Sequence, residues 1–86
     1  MAVINTVVGG RGTIFPNQYC RIEEVQARKT RMFYTVGVHF DQEHANEIPP
    51  HRTEVFEGEF DLFSPLNLWQ QAYASLKQIW PDATDA

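Results

Sequence analysis

The ten residues Arg31-Met32-Phe33-Tyr34-Thr35-Val36-Gly37-Val38-His39-Phe40 decide the fold. Met32, Tyr34, Val36, Val38 and Phe40 recur at every second position, the period at which a β-strand returns side chains to one face. The pattern predicts a strand with one face against a core. Upstream, Tyr19 to Ala27 predicts a second strand. Cys20 and Ile22 share one parity, and Val25 and Ala27 share the other. The switch at Glu23-Glu24 predicts a β-bulge, or a strand partly covered on both faces. The polar Arg28-Lys29-Thr30 between the two runs predicts the turn of an antiparallel hairpin with a basic tip.

Working outward, Asp41 to Pro50 reads as a loop, because the paired prolines Pro49-Pro50 cannot donate to a strand ladder. Thr53 to Leu62 predicts a third strand, with Phe56, Gly58, Phe60 and Leu62 on one face and Glu57, Glu59 and Asp61 on the other. Ser64 and Pro65 then predict a helix start, Ser64 as N-cap and Pro65 at the first helical position. Leu66, Leu68, Trp69, Ala72, Tyr73, Leu76, Ile79 and Trp80 fall within about half of a helical wheel. Part of that stripe is generous for one small sheet and is expected to serve as a partner surface. Gln71 lies on the polar half, where replacement by Ala is expected to cost little. Pro81 ends the helix, and residues 82–86 read as a polar tail.

The N-terminal run Val3 to Val8 is β-branched and reads as a short strand, followed by Gly9-Gly10-Arg11-Gly12. Phe15-Pro16-Asn17 predicts a further break. Residues 1–12 are therefore set apart as a strand or arm with a glycine hinge, and residues 13–86 as a single domain. Two fates are open to the arm. It folds back onto its own sheet, or it reaches a neighbouring protein and pairs there through Val3, Ile4 and Val7. The fold class is α+β: an antiparallel sheet of three or four strands with one C-terminal amphipathic helix packed across it.

Composition narrows the function. A chain of 86 residues holds one core. A net charge of −4 disfavours phosphate-backbone binding, so no nucleic-acid partner is expected. No apolar run approaches bilayer length and no leader peptide is read at the N-terminus, so no membrane partner is expected. The single cysteine, Cys20, excludes an internal disulfide.

Candidate chemistry is thin. Gly9-Gly10-Arg11-Gly12 is not followed by a helix start, so a turn is favoured over a phosphate loop. His39, His44 and His51 lie near Asp41, Glu43 and Glu47, but their spacing matches no structural zinc pattern, and His39 is expected to face solvent. Glu57, Glu59 and Asp61 read as the wet side of a sheet rather than a glycosidase pair. Cys20 reads as a small buried hydrophobe rather than a nucleophile. No catalytic residue, cofactor, metal or small-molecule substrate is expected. Arg28, Lys29 and Arg31 stand apart from the acidic stretch Asp41 to Asp61, and the tip is expected to contact an acidic protein or another copy of the chain.

Tyr19, Ile22 and Val25 opening one strand, Phe40-Asp41 closing the next, Pro49-Pro50 in the loop and Phe56 and Phe60 in the third strand form an ordered series. Asn67, Gln71-Ala72-Tyr73 and Leu76-Lys77 continue it in the helix, and Ala83-Thr84-Asp85 in the tail. On these residues the latter three-quarters of the chain resembles a family of small tailed-bacteriophage proteins, often encoded among structural genes. The helix match is the most specific. The chain departs from the pattern at Ile79-Trp80-Pro81, where a Pro-Glu-Phe-like segment is usual, and at residues 1–12. The resemblance implies a virion structural or accessory role, in the tail or baseplate, with other virion proteins and copies of itself as partners. It brings no catalytic residues. The alternative is a small phage-encoded inhibitor or adaptor that binds a host or phage protein.

Overall fold

The alternating run around Tyr34 sits near the middle of the molecule. The computed structural model describes residues 2–9 and 11–86; Met1 and Gly10, both in the segment set apart as a strand or arm with a glycine hinge, lie outside the described residues. The elements are β1 (Val3–Val8), β2 (Ile14–Arg28), β3 (Arg31–His39), β4 (Arg52–Glu59), α1 (Leu68–Ile79) and β5 (Thr84–Asp85). The fold is α+β, with one helix and one antiparallel sheet in the order β4-β3-β2-β1-β5. The sheet has five strands where the sequence predicts three or four.

The bulge at Glu23 is present and explains the parity switch. Cys20 pairs with Val38 and Ile22 with Val36, then the register shifts, and Val25 pairs with Tyr34 and Ala27 with Met32. One extra residue thus returns both apolar sets of β2 to the face lined by Met32, Tyr34, Val36 and Val38, all buried. The expected break at Phe15-Pro16-Asn17 is instead a second bulge within a single 15-residue strand. Asn5 pairs with Gln18 and Val7 with Phe15, so Pro16 and Asn17 bulge outward. Asn17 takes φ 53°, a left-handed conformation that Asn tolerates.

The helix starts later than Ser64-Pro65 suggests. Asn67 is the N-cap: its side chain accepts from the Gln70 N–H, and the Gln70 side chain accepts from the Asn67 N–H. This reciprocal pair satisfies two orphan donors, which a serine followed by proline and leucine cannot match. Ser64 Oγ accepts instead from Leu66 N, in a turn. The helix lays Ala72, Tyr73 and Leu76 on the sheet, with Leu68 and Trp80 at the margins of the core. It approaches β4 closely at Gly58, where a Cβ would lie 2.5 Å from Ser75 Oγ and 3.1 Å from the Met32 methyl.

The two chain ends are joined. Thr84 and Asp85 pair with Ile4 and Val3, and Ala86 N donates to Ala2 O at 3.1 Å, so the expected polar tail is a short strand. Lys77 ion-pairs with Asp85 across this junction. β1 therefore has neighbours on both sides, with Val3 0% and Val7 4% exposed. Of the two fates open to the N-terminal segment, β1 takes the first and pairs within its own sheet. Gly9 and Gly12 close the turn to β2 through Gly9 N to Thr13 O and Gly12 N to Gly9 O. Among the described residues no helix is long and apolar enough to cross a membrane.

Candidate functional site

The Glu23 bulge turns a carboxylate onto the sheet face away from the core. Its Oε1 lies 3.1 Å from Arg21 Nε and 3.2 Å from His39 Nε2. It rests over Gly37, where a Cβ would come within 2.6 Å of it, so any side chain at position 37 would displace the carboxylate. Arg21 then reaches out of the sheet to Asn46 Oδ1 and Ala45 O, at 2.7 and 3.1 Å, and pins the 41–50 loop over β3. The expectation that His39 faces solvent fails for this reason: the loop and Glu23 leave it 4% exposed. A histidine and a carboxylate side by side can in principle exchange a proton with a substrate. Here the carboxylate is also held by Arg21 and the imidazole is covered, so the group works as a clip between β2, β3 and the loop.

The clip has a pH signature. Burial opposes the charge on Glu23, but the hydrogen bonds from His39 and Arg21 outweigh it and hold the carboxyl below its usual 4.5. A depressed folded-state pKa gives stability that is present above the unfolded value and is lost as pH falls through the folded one. The wild type should therefore lose melting temperature more steeply than Glu23→Gln as pH drops below about 4.5. Parallel acid limbs in a series of thermal melts would show that the clip contributes nothing.

The other candidates are scattered. Cys20 is fully buried, and burial, with Glu54 nearby, pushes its thiol up to about 12. At neutral pH it is a thiol, not a nucleophile. It should resist a disulfide reagent in the folded protein and react at once in denaturant. His44 Nδ1 lies 3.0 Å from Asp41 at a loop surface. His51 stacks on Phe40 at 4.0 Å between centroids and lies 2.8 Å from Gln18 Oε1. Among the described residues, no three His, Cys, Asp or Glu side chains are placed to hold a metal ion. Glu57 is bonded to Arg31 at 2.8 Å on the outer strand of the sheet.

One cleft, of about 390 Å³, lies between the Glu23 bulge and the start of α1, lined by Arg21, Ile22, Asn67, Trp69, Gln70 and Tyr73. At its floor the Ile22 N–H donates to the Tyr73 hydroxyl at 2.9 Å. The bulge interrupts the β-ladder here, and the tyrosine satisfies the amide. Tyr73→Phe should lower stability by about 1–3 kcal/mol, the cost of leaving a buried donor unpaired. An unchanged midpoint in urea would mean that water or a register shift replaces the hydroxyl.

The surface features that stand out are at the two ends of the sheet. At the end carrying the β2–β3 turn, Leu62 is 73% and Phe63 93% exposed, with Leu66 about half exposed. The backbone presenting them is held firmly. Phe63 N donates to Asp61 Oδ1. Gln71 accepts from Asp61 N and donates to Asp61 O and Leu66 O, all at 2.9–3.0 Å. Phe60 N donates to Thr30 O at 2.8 Å, which ties this loop to the basic turn. Arg28 and Lys29 are exposed there and form no ion pair among the described residues, whereas Arg31 is engaged by Glu57. At the opposite end, Val8, Ile14, Phe40 and Ile48 are exposed around the 41–50 loop.

The six residues expected to make protein contacts do not form one surface. Arg28, Lys29 and Arg31 share the turn. Val3, Ile4 and Val7 lie on a strand that pairs with the other half of β2, and Val3 and Val7 are core. The sequence reading missed Phe63 and placed Leu62 in a strand. A signal was available: Phe63 falls on the opposite parity to Phe56 and Phe60, and before any helical periodicity. Comparison of the chain with family models, curated proteins and solved structures finds no match.

Proposed function

We propose that the chain is a non-enzymatic structural protein of a bacteriophage particle, a tail or baseplate component that acts through protein–protein contacts. The observation that carries the contact role is the loop Leu62–Leu66. Its backbone is fixed by side-chain hydrogen bonds while its large apolar side chains face solvent. Exposed apolar side chains in a cluster mark interaction surfaces. A loop already fixed in shape loses little conformational entropy on docking, so more of its contact energy appears as affinity. The assignment to a particle rests on the sequence resemblance centred on Asn67, Gln71-Ala72-Tyr73 and Leu76-Lys77.

Mass spectrometry of purified particles from the source phage tests this reading. The chain should be present at a fixed ratio to other structural proteins. Its absence from particles, with recovery from the infected cell in complex with one host or phage protein, would replace this reading with that of an inhibitor or adaptor.

A further inference from the structure

We propose that copies of this chain bind one another head to tail, the Leu62–Phe63 end of one against the Phe40–Ile48 end of the next. The proposal rests on the contact role above and names its partner. Strand pairing places the two surfaces at opposite ends of the sheet. Arg31 pairs with Glu59, so the β2–β3 turn and the loop after β4 share one end. Val8 pairs with Ile14, and β3 ends at His39, so the glycine turn and the 41–50 loop share the other. The long dimension of the molecule is 38 Å.

The ends are complementary in two respects. Each presents large apolar side chains: Leu62, Phe63 and Leu66 at the head, and Ile14, Phe40 and Ile48 at the tail. The head adds Arg28 and Lys29, whose charges form no ion pair among the described residues. Its own acids, Glu57 and Asp61, are engaged by Arg31 and by the Phe63 N–H, while Glu59 stays exposed. The tail loop from Asp41 to Pro50 carries Asp41, Glu43 and Glu47 and neither lysine nor arginine; Arg11 is on the neighbouring turn. Free cations beside an apolar knob against an acidic loop with apolar surface favour head-to-tail docking, whereas tail-to-tail contact would oppose the like charges of Asp41, Glu43 and Glu47. Such a contact is heterologous, so it propagates into a ring or an open chain. Ends this small bury no more than the low end of specific interfaces, roughly 1,200 Å² in total, so each contact is weak and assembly depends on concentration.

Sedimentation velocity of the purified full chain tests the proposal, over about 10 μM to 1 mM, the range that reports weak contacts. The wild type should grow beyond a dimer as concentration rises. Phe63→Asp and Ile14→Asp, both at exposed positions, should each stay monomeric. Mixed, they should form a one-to-one dimer and stop, because each supplies the end the other lacks. Arg28→Glu with Lys29→Glu should weaken growth about tenfold, an effect that shrinks in high salt. A wild type that stays monomeric at the highest concentration overturns the proposal, as does a mixture of the two variants that fails to pair. A variant with only its tail blocked that still dimerises points to a head-to-head contact and also overturns it. If the chain stays monomeric yet is present in particles, the structural role stands and only self-contact is refuted.

Discussion

Deletion of residues 2–8 is expected to abolish cooperative folding of the isolated chain. Val3 and Val7 are core side chains, 0% and 4% exposed. Burial of a valine contributes about 1.5–3 kcal/mol, so the pair accounts for roughly 3–6 kcal/mol. The same deletion strips the Ile14–Cys20 half of β2 of its ladder partner and leaves β5 with nothing to pair. A small domain has only about 5–15 kcal/mol in total and tends toward the lower figure. The deleted chain should therefore lack a sigmoidal thermal transition by circular dichroism and show collapsed amide dispersion by NMR. A soluble deletion variant that melts cooperatively within a few degrees of the wild type would make β1 an attached arm after all, and would restore the reading in which the segment serves a neighbour.

The N-terminal segment shows where sequence reading stops. Local pattern identified Val3 to Val8 as a strand, and that is what forms. Whether it paired at home or abroad depended on its ladder with Ile14 to Cys20, part of which reads as a break, and its other edge is covered by the last three residues, Thr84, Asp85 and Ala86, which carry no strand signal of their own. Their strand pairing is with β1 alone, through two residue pairs and one further backbone hydrogen bond, and Asp85 is also ion-paired to Lys77. The bulge at Glu23 was legible because apolar parity is a backbone count: an inserted residue must shift it. The bulge at Pro16-Asn17 was not, because proline and asparagine read equally well as a loop, and only pairing with β1 makes them part of a strand. The helix start moved from Ser64 to Asn67 for a comparable reason. Serine before proline and asparagine three residues before Gln70 are both helix starts, and only the second completes a reciprocal cap.

The candidate surface was half legible. The basic turn could be read from composition, since Arg28, Lys29 and Arg31 are close in sequence. The apolar loop beside it could not, because Leu62 extends the alternation of β4 and Leu66 extends the stripe of α1. Both patterns break where the chain leaves the sheet after Glu59 and the Asp61–Gln71 hydrogen bonds turn it. Side-chain hydrogen bonds between residues ten apart are tertiary facts, and no local period reports them. The same holds for the Glu23–His39–Arg21 clip, in which His39 and the Ala45–Asn46 loop segment lie across a hairpin from Arg21 and Glu23.

Leu76→Ala should be the most damaging single truncation in the helix. Leu76 is fully buried beside Ala72 and Tyr73, at the centre of the contact between α1 and the sheet. Removing three carbons from such a site loses their transfer energy and leaves a cavity, together about 2–5 kcal/mol. For a domain of this size that is a fall in melting temperature of roughly 10 °C or more. Ile79→Ala, on the same apolar stripe but partly exposed, should cost well under half as much. Gln71→Ala separates the sequence pattern from the structure. By helical projection Gln71 is polar surface and its loss is nearly neutral. By geometry its amide makes three hydrogen bonds to the 61–66 loop, and its loss should cost about 1–2 kcal/mol and loosen that loop. The two residues then act on different things. Leu76→Ala should lower stability and leave the head-to-tail contact intact in whatever fraction stays folded. Gln71→Ala should weaken the contact more than it weakens the fold, because it frees the backbone that presents Leu62 and Phe63. Equal melting temperatures for wild type and Leu76→Ala would remove the helix from the core. Unchanged self-association and unchanged amide exchange in Gln71→Ala would show that the loop does not need its anchor.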